Sequence, residues 1–259
     1  MHNNLIEALQ IDDGDVVVFV GAGGKTTTMF ALAHELRDAG KRVVVTTTTK
    51  IFPPTEKEAA CTLLEEDPDL LLTKLEVSLT QYNPLVVATT LGKEGKLVGI
   101  SPESVRAISR VSGVSNVLVE ADGAAQKPFK APLDYEPVIP EAATVVVPVV
   151  GVEVVGQTLT EEHVQRAERL AQLAGRAIGS EVTAVVVAMV MLHPQGNIKG
   201  TPKGARIVPL INKVEGRARV MAARDIAEEL FIRGADRVVL AHSATKPPVV
   251  EVLTRSVDS

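Results

Sequence analysis

An apolar run that breaks into glycines and then into a Lys-Thr pair constrains this chain more than any other feature: Val16-Val17-Val18-Phe19-Val20-Gly21-Ala22-Gly23-Gly24-Lys25-Thr26-Thr27-Thr28. It reads as a strand, a phosphate-binding loop and the opening of a helix. Gly21, Gly23 and Gly24, with Ala22 among them, lack the bulk that would keep backbone N–H groups away from an anion, and the glycines permit the positive φ values of an anion-binding nest. The loop then delivers its donors at a helix N-terminus, where the macrodipole favours negative charge. From there Lys25 can reach terminal phosphates, the Thr26 hydroxyl can ligate Mg²⁺, and Thr27 extends the cradle into the helix.

The common form of such a loop, Gly-x-x-x-x-Gly-Lys-Ser/Thr, would place a glycine at position 19, where this chain has Phe19. The loop is therefore shorter. Its Gly-x-x-Gly-Lys-Thr form resembles the loop of Mur-type ligases and some other ATP-using enzymes. A plain glycine-rich turn is the alternative, but five apolar residues running into Gly-Gly-Lys-Thr-Thr are hard to obtain from turn chemistry alone.

A second stretch complements the first. Asn116-Val117-Leu118-Val119-Glu120-Ala121-Asp122-Gly123 is an apolar strand ending in two carboxylates. A carboxylate at a strand tip beside a phosphate loop can hold a metal-bound water or polarise a nucleophile, and alternation puts Glu120 and Asp122 on one face. Lys25, Glu120 and Asp122 are thus the expected catalytic groups. Thr26, Glu120 and Asp122 are the expected metal set, with Asp122 as the outer metal group and Glu120 as a second ligand or base. A third stretch, Asn212-Lys213-Val214-Glu215, resembles the guanine-reading Asn-Lys-x-Asp of GTPases with Glu in place of Asp. A plain strand-to-helix turn reads about as well there, so ATP and GTP both stay open.

The rest of the chain supplies the frame. Met29, Leu32, Ala33 and Leu36 recur at helical spacing before Gly40, and Arg42-Val43-Val44-Val45 is a second strand. Strand, helix and strand in succession argue for a parallel sheet. The expected architecture is α/β, a P-loop NTPase-like three-layer fold with a mainly parallel central sheet, in a single domain over 1–259. Residues 51–115 could form an inserted lobe, with a helix from Asp67-Pro68 and a β-hairpin from Leu85–Thr89 and Lys96–Ile100. The row Thr46-Thr47-Thr48-Thr49-Lys50 reads equally as a phosphate lining and as a β-branched strand end.

Lys127 and Lys130 lie in a proline-rich segment that is a candidate substrate or lid loop, although isolated lysines more often face solvent. Thr144–Val152 is a core strand. Thr160-Glu161-Glu162-His163 is expected to open a helix through Leu173, where His163, Arg166 and Arg169 could form a cationic edge, although a solvated face paired to Glu161, Glu162 and Glu168 reads slightly better. Val182–Leu192 is expected as a strand, followed by the loop from His193 to Pro202. A strand over Arg206–Ile211, a helix over Arg219–Phe231 and a last strand over Arg237–Ala241 complete the reading.

Composition excludes several classes. The 259 residues carry a net charge of −5 with no Lys/Arg block, which argues against nucleic acid as the main partner. One cysteine, Cys61, rules out an intrachain disulfide or a multi-cysteine metal site. Its apolar neighbours suit a small buried residue rather than a reactive thiol. No signal-peptide pattern and no run long enough to span a bilayer are visible, so a cytoplasmic protein off the membrane is expected.

With these pieces placed, the chain resembles the YqeC family of accessory proteins for selenium-dependent molybdenum hydroxylases. The resemblance rests on Gly21-Ala22-Gly23-Gly24-Lys25-Thr26-Thr27, Thr46–Lys50, Glu120-Ala121-Asp122-Gly123-Ala124, Lys130-Ala131-Pro132 with Glu136-Pro137-Val138-Ile139-Pro140, His193-Pro194-x-Gly196 and Asn212-Lys213-Val214. The family's pattern often has Asp at the position of Glu215. The resemblance implies a role in selenium cofactor biosynthesis or hydroxylase maturation, with a client molybdenum hydroxylase or a small-molecule or cofactor substrate as partner. Two classes fit: an NTPase or ATP-dependent ligase or kinase using ATP or GTP with Mg²⁺, and a nucleotide-switched accessory that is not itself an enzyme.

Overall fold

The computed structural model describes residues 4–255. The first half of the chain contains α1 (Leu5–Leu9), β1 (Val16–Gly21), α2 (Lys25–Asp38), β2 (Val43–Thr47), β3 (Lys50–Ile51), β4 (Thr62–Leu64), α3 (Pro68–Ser78), β5 (Leu85–Ala88), β6 (Thr90–Leu91), β7 (Leu97–Val98), α4 (Pro102–Ile108) and β8 (Asn116–Glu120). The second half adds β9 (Phe129–Lys130), β10 (Val145–Gly151), β11 (Val164–Gln165), α5 (Ala167–Ala174), α6 (Ala184–Leu192), β12 (Arg206–Ile207), β13 (Leu210–Asn212), α7 (Gly216–Ile232), β14 (Arg237–Ala241) and β15 (Val249–Thr254).

The central sheet runs β15-β14-β13-β10-β1-β8-β2-β5-β4, with β12 also paired to β10. Every pairing in it is parallel except β14 with β15. Strand β1 is flanked by β10 and β8 and is buried along its whole length, which explains its unbroken apolar sequence. Alternation splits the core into two faces. Val17, Phe19, Val43, Val45 and Leu118 pack under α1 and α2, whereas Val16, Val18, Val20, Val44 and Val117 pack against α3 and α4. Farther along that second face, Val150, Ile211, Val238 and Leu240 are covered by α5, α6 and α7. The result is the expected three-layer α/β, P-loop NTPase-like fold.

Register brings the informative stretches together. Phe19 lies opposite Glu120, Gly21 opposite Val149, Thr47 opposite Glu120 and Gly151 opposite Asn212. Parallel strands end on one edge, so the phosphate loop, the acidic tip of β8 and the Asn212 tip of β13 share it. Open α/β sheets place their ligands at that edge.

Several local expectations change. Val182–Leu192 is not a strand: Thr183 accepts the Val186 N–H and starts helix α6. Both sides of β10 are already taken by β1 and by β12 and β13, and a helix buried beneath α5 and α7 reads as apolar all round. Helix α5 begins seven residues later than expected, at Ala167. The Glu161 carboxylate accepts the N–H groups of Arg166 at 3.1 Å and Ala167 at 2.5 Å, while Val164-Gln165 pairs with Phe129-Lys130 as a small parallel sheet. The hairpin is smaller than read: Leu85–Ala88 belongs to the central sheet, and β6 and β7 form the hairpin together with β3. The last long helix starts at Gly216 rather than Arg219. Among the described residues no helix is long and apolar enough to cross a membrane.

Candidate functional site

The loop owes its shape to close packing. Gly23 has φ +80° and Gly24 +118°, and a Cβ added to Gly23 would lie 2.1 Å from the Gly151 nitrogen. On Gly24 it would lie 2.2 Å from Asn212 Nδ2. A larger residue at Gly23 would have to move the end of β10, and at Gly24 it would displace the Asn212 side chain at a φ that suits glycine. The Gly21 N–H donates to Asp122 Oδ2 at 3.1 Å, Ala22 N–H to the Val149 carbonyl at 2.9 Å and Gly23 N–H to the Lys127 carbonyl at 3.1 Å. Helix α2 then starts with no side chain capping it. Its first-turn N–H groups lie beyond the helix's own ladder, in a turn where Thr26 is half-buried and Thr27 exposed.

Lys25 is buried, with a side chain 2% exposed. Its Nζ donates to the Gly21 carbonyl at 2.7 Å and lies 3.2 Å from Asp122 Oδ1 and 3.5 Å from Glu120 Oε1. Burial works against the charged form, yet the Asp122 and Glu120 carboxylates outweigh it and hold the lysine pKa above its ordinary value. Thr26 Oγ1 donates to Glu120 Oε2 at 2.7 Å. Asp122 is more fully engaged: besides Lys25, its Oδ2 lies 3.0 Å from the Lys130 ammonium and accepts the Gly21 amide.

These donors fit Mg²⁺. A hydroxyl and a carboxylate oxygen meet at the mouth of a helix N-terminus, and Mg²⁺ takes one or two protein oxygens, completing its shell with water and phosphate. No group of three or more His, Cys, Asp or Glu side chains suited to a metal occurs among the described residues, and this mode of binding needs none.

Asn212 reaches the same loop. Its Nδ2 donates to the Gly23 carbonyl at 2.9 Å and its Oδ1 accepts the Ser243 N–H at 3.0 Å. Thr28 and Ser243 add a hydroxyl contact at 2.7 Å, so two residues outside the expected site tie α2 to the end of β14. Lys213, at φ +60°, pairs with Glu153. Glu215 is exposed at the N-cap position of α7 without capping it.

Other expected candidates fall elsewhere. The hydroxyls of Thr46, Thr47 and Thr48 donate to the carbonyls of Val87, Glu120 and Val138, which supports the strand-end reading, and Lys50 is exposed. Lys127 Nζ donates to the Glu162 carbonyl at 2.6 Å. Lys130 is not solvent-facing: it is wholly buried beside Asp122 and Glu136. Arg166 pairs with Glu136 and Arg169 with Asp134, rather than with the glutamates of their own segment. His163 lies 4.0 Å from Glu162, and His193 Nδ1 accepts the Gln195 N–H. Cys61 is half-buried. A cavity of about 400 Å³ opens near the starts of β12 and β14, lined by Arg206, Arg233 and Arg237, and touches none of the loop residues.

Comparison with known proteins adds kinship. The YqeC protein family matches residues 17–168, from β1 through the start of α5. Uncharacterized protein YqeC of Escherichia coli (strain K12) is 31% identical over 247 residues, covering 93% of this chain and 94% of that protein. The chain belongs to the YqeC family.

Proposed function

We propose that this protein binds and hydrolyses a nucleoside triphosphate with Mg²⁺, in selenium cofactor biosynthesis or in the maturation of selenium-dependent molybdenum hydroxylases. The observation that carries the first part is the Thr26 hydroxyl held 2.7 Å from Glu120 at the start of α2, beside the buried Lys25 ammonium. The pathway is the role suggested for the YqeC family and is proposed along with it.

Thr26 and Glu120 are the residues that would hold the metal, which supplies charge neutralisation at phosphate oxygens. Asp122, facing two ammonium groups and an amide, fixes the Lys25 side chain and serves the metal less directly. Lys25 carries positive charge to the phosphates, and the first turn of α2 offers them N–H donors.

A second reading, a nucleotide-switched accessory without useful turnover, is favoured by one contact: the Lys127 carbonyl occupies the Gly23 N–H, joining the segment after Asp122 to the phosphate loop. Calorimetry of Mg·ATP and Mg·GTP against wild type and Lys25→Ala tests the common core. Micromolar or tighter binding of one nucleotide, lost by at least about tenfold in the variant, is expected; no binding of either by wild type would end the reading. Steady-state phosphate release without a partner separates hydrolysis from the switch.

A further inference from the structure

Lys130 belongs to none of the nucleotide-binding stretches, yet it is fully enclosed beside them. Its side chain is 0% exposed. The ammonium donates to the Gly123 carbonyl at 2.6 Å and to Glu136 Oε2 at 2.9 Å, and lies 3.0 Å from Asp122 Oδ2. Two hydrogen bonds and a close ion pair thus surround an ammonium that carries three N–H bonds. Glu136 in turn takes Arg166, at 2.6 Å to Oε2 and 3.2 Å to Oε1. Charges therefore alternate through Lys25, Asp122, Lys130, Glu136 and Arg166, from the phosphate loop to the turn before α5. With Glu120 beside Lys25, three cations answer three carboxylates.

That order matters when phosphate arrives. Lys25 rests on Asp122 and on the Gly21 carbonyl, so reaching a phosphate oxygen means leaving them. Were Lys25 the only cation at Asp122, its departure would strand a buried carboxylate, which is strongly unfavourable. Lys130 contacts the opposite carboxylate oxygen and stays behind. We infer that Lys130 is a positioning residue for triphosphate binding: it keeps Asp122 compensated and in place, freeing the Lys25 ammonium to move from carboxylate to phosphate. The inference rests on the phosphate-loop reading and adds to it a residue outside the loop that sets the affinity.

Lys130→Met keeps most of the apolar stem and removes the charge. Calorimetry with Mg·ATP and Mg·GTP on the full chain compares wild type, Lys130→Met and Lys130→Met/Asp122→Asn, with circular dichroism melts establishing that each is folded. Lys130→Met is expected to bind the preferred triphosphate at least about tenfold more weakly, because Asp122 now holds Lys25 alone. The double variant, which removes one charge of each sign, is expected to regain at least about threefold of that loss. A lysine that merely anchors its loop would leave the double variant no better than the single one, and that result overturns the proposal. So does a folded Lys130→Met that binds like wild type.

Should Lys130→Met alone not fold, the double variant decides. Binding within about tenfold of wild type supports the proposal, and a folded double variant without detectable binding overturns it. A wild type that binds neither nucleotide ends the phosphate-loop reading and this inference together. A binding wild type matched by Lys130→Met ends this inference alone.

Discussion

Asn212 donates its side-chain amide to the carbonyl of Gly23 at 2.9 Å and accepts the Ser243 N–H at 3.0 Å, so one residue joins the phosphate loop to the tips of β13 and β14. All of these groups are buried, and water cannot replace a lost partner. Asn212→Ala leaves a carbonyl and an amide unpaired. We expect a loss of about 2 kcal/mol in urea unfolding, together with weaker nucleotide binding although no phosphate contact is touched. A variant as stable as wild type would mean that the clamp does not form in solution.

The Thr26–Glu120 pair predicts how affinity depends on metal. Wild type should bind triphosphate more tightly with Mg²⁺ than with a chelator. Thr26→Val removes the hydroxyl and Glu120→Gln the charge, and each should abolish most of that difference; Thr26→Val, which leaves the carboxylates beside Lys25 in place, should change metal-free binding little. Calorimetry in both conditions reads this directly. Equal metal enhancement in Glu120→Gln would move the metal site away from the tip of β8.

Glu215 bears on base choice. It is exposed and does not cap α7, and it lies three residues beyond the clamped Asn212. A carboxylate only accepts hydrogen bonds, so it matches the N1–H and exocyclic amine of guanine and faces an acceptor, N1, on adenine. GTP should therefore be preferred to ATP by about tenfold, within the 1–3 kcal/mol range of a good bidentate base contact. Competition titrations should find that preference erased in Glu215→Ala. A persistent preference would place base recognition on other residues.

What could be read in the sequence was what adjacent residues decide. The strand into Gly21–Thr26, the tip at Glu120 and Asp122, and the helix start at Asp67 each follow from a few neighbouring side chains, and the structure holds them where they were expected. Val182–Leu192 was misread because a buried helix and a buried strand show the same unbroken apolar run, and only the filled edges of β10 exclude the strand. The start of α5 was hidden because Glu161 caps it across an intervening strand. Lys130 was the deepest misreading: expected to face solvent in a lid segment, it is wholly buried. Its burial depends on Asp122 and Glu136 converging from either side of it in sequence, and composition around an isolated lysine carries no trace of that.

The Glu136 carboxyl yields a prediction with a sign that can be checked. Burial pushes its pKa up, but Lys130 and Arg166 outweigh burial and leave it below the ordinary value of 4.5. A carboxyl depressed in the folded state contributes stability that is complete above its unfolded pKa and disappears as pH falls through the folded one. Lys25, raised above 10.5, contributes stability that is complete below that value and disappears only as pH rises through its folded pKa, so it does not shape the acid limb. Glu136→Gln should therefore be less stable than wild type at neutral pH, because Lys130 and Arg166 lose a buried counter-ion. The gap should narrow as pH drops below 4.5, where the wild-type carboxyl takes up its proton. Urea midpoints for both proteins between about pH 3 and pH 7 measure the gap. A gap that stays constant over that range would show that Glu136 acts through packing and hydrogen bonding rather than through its charge.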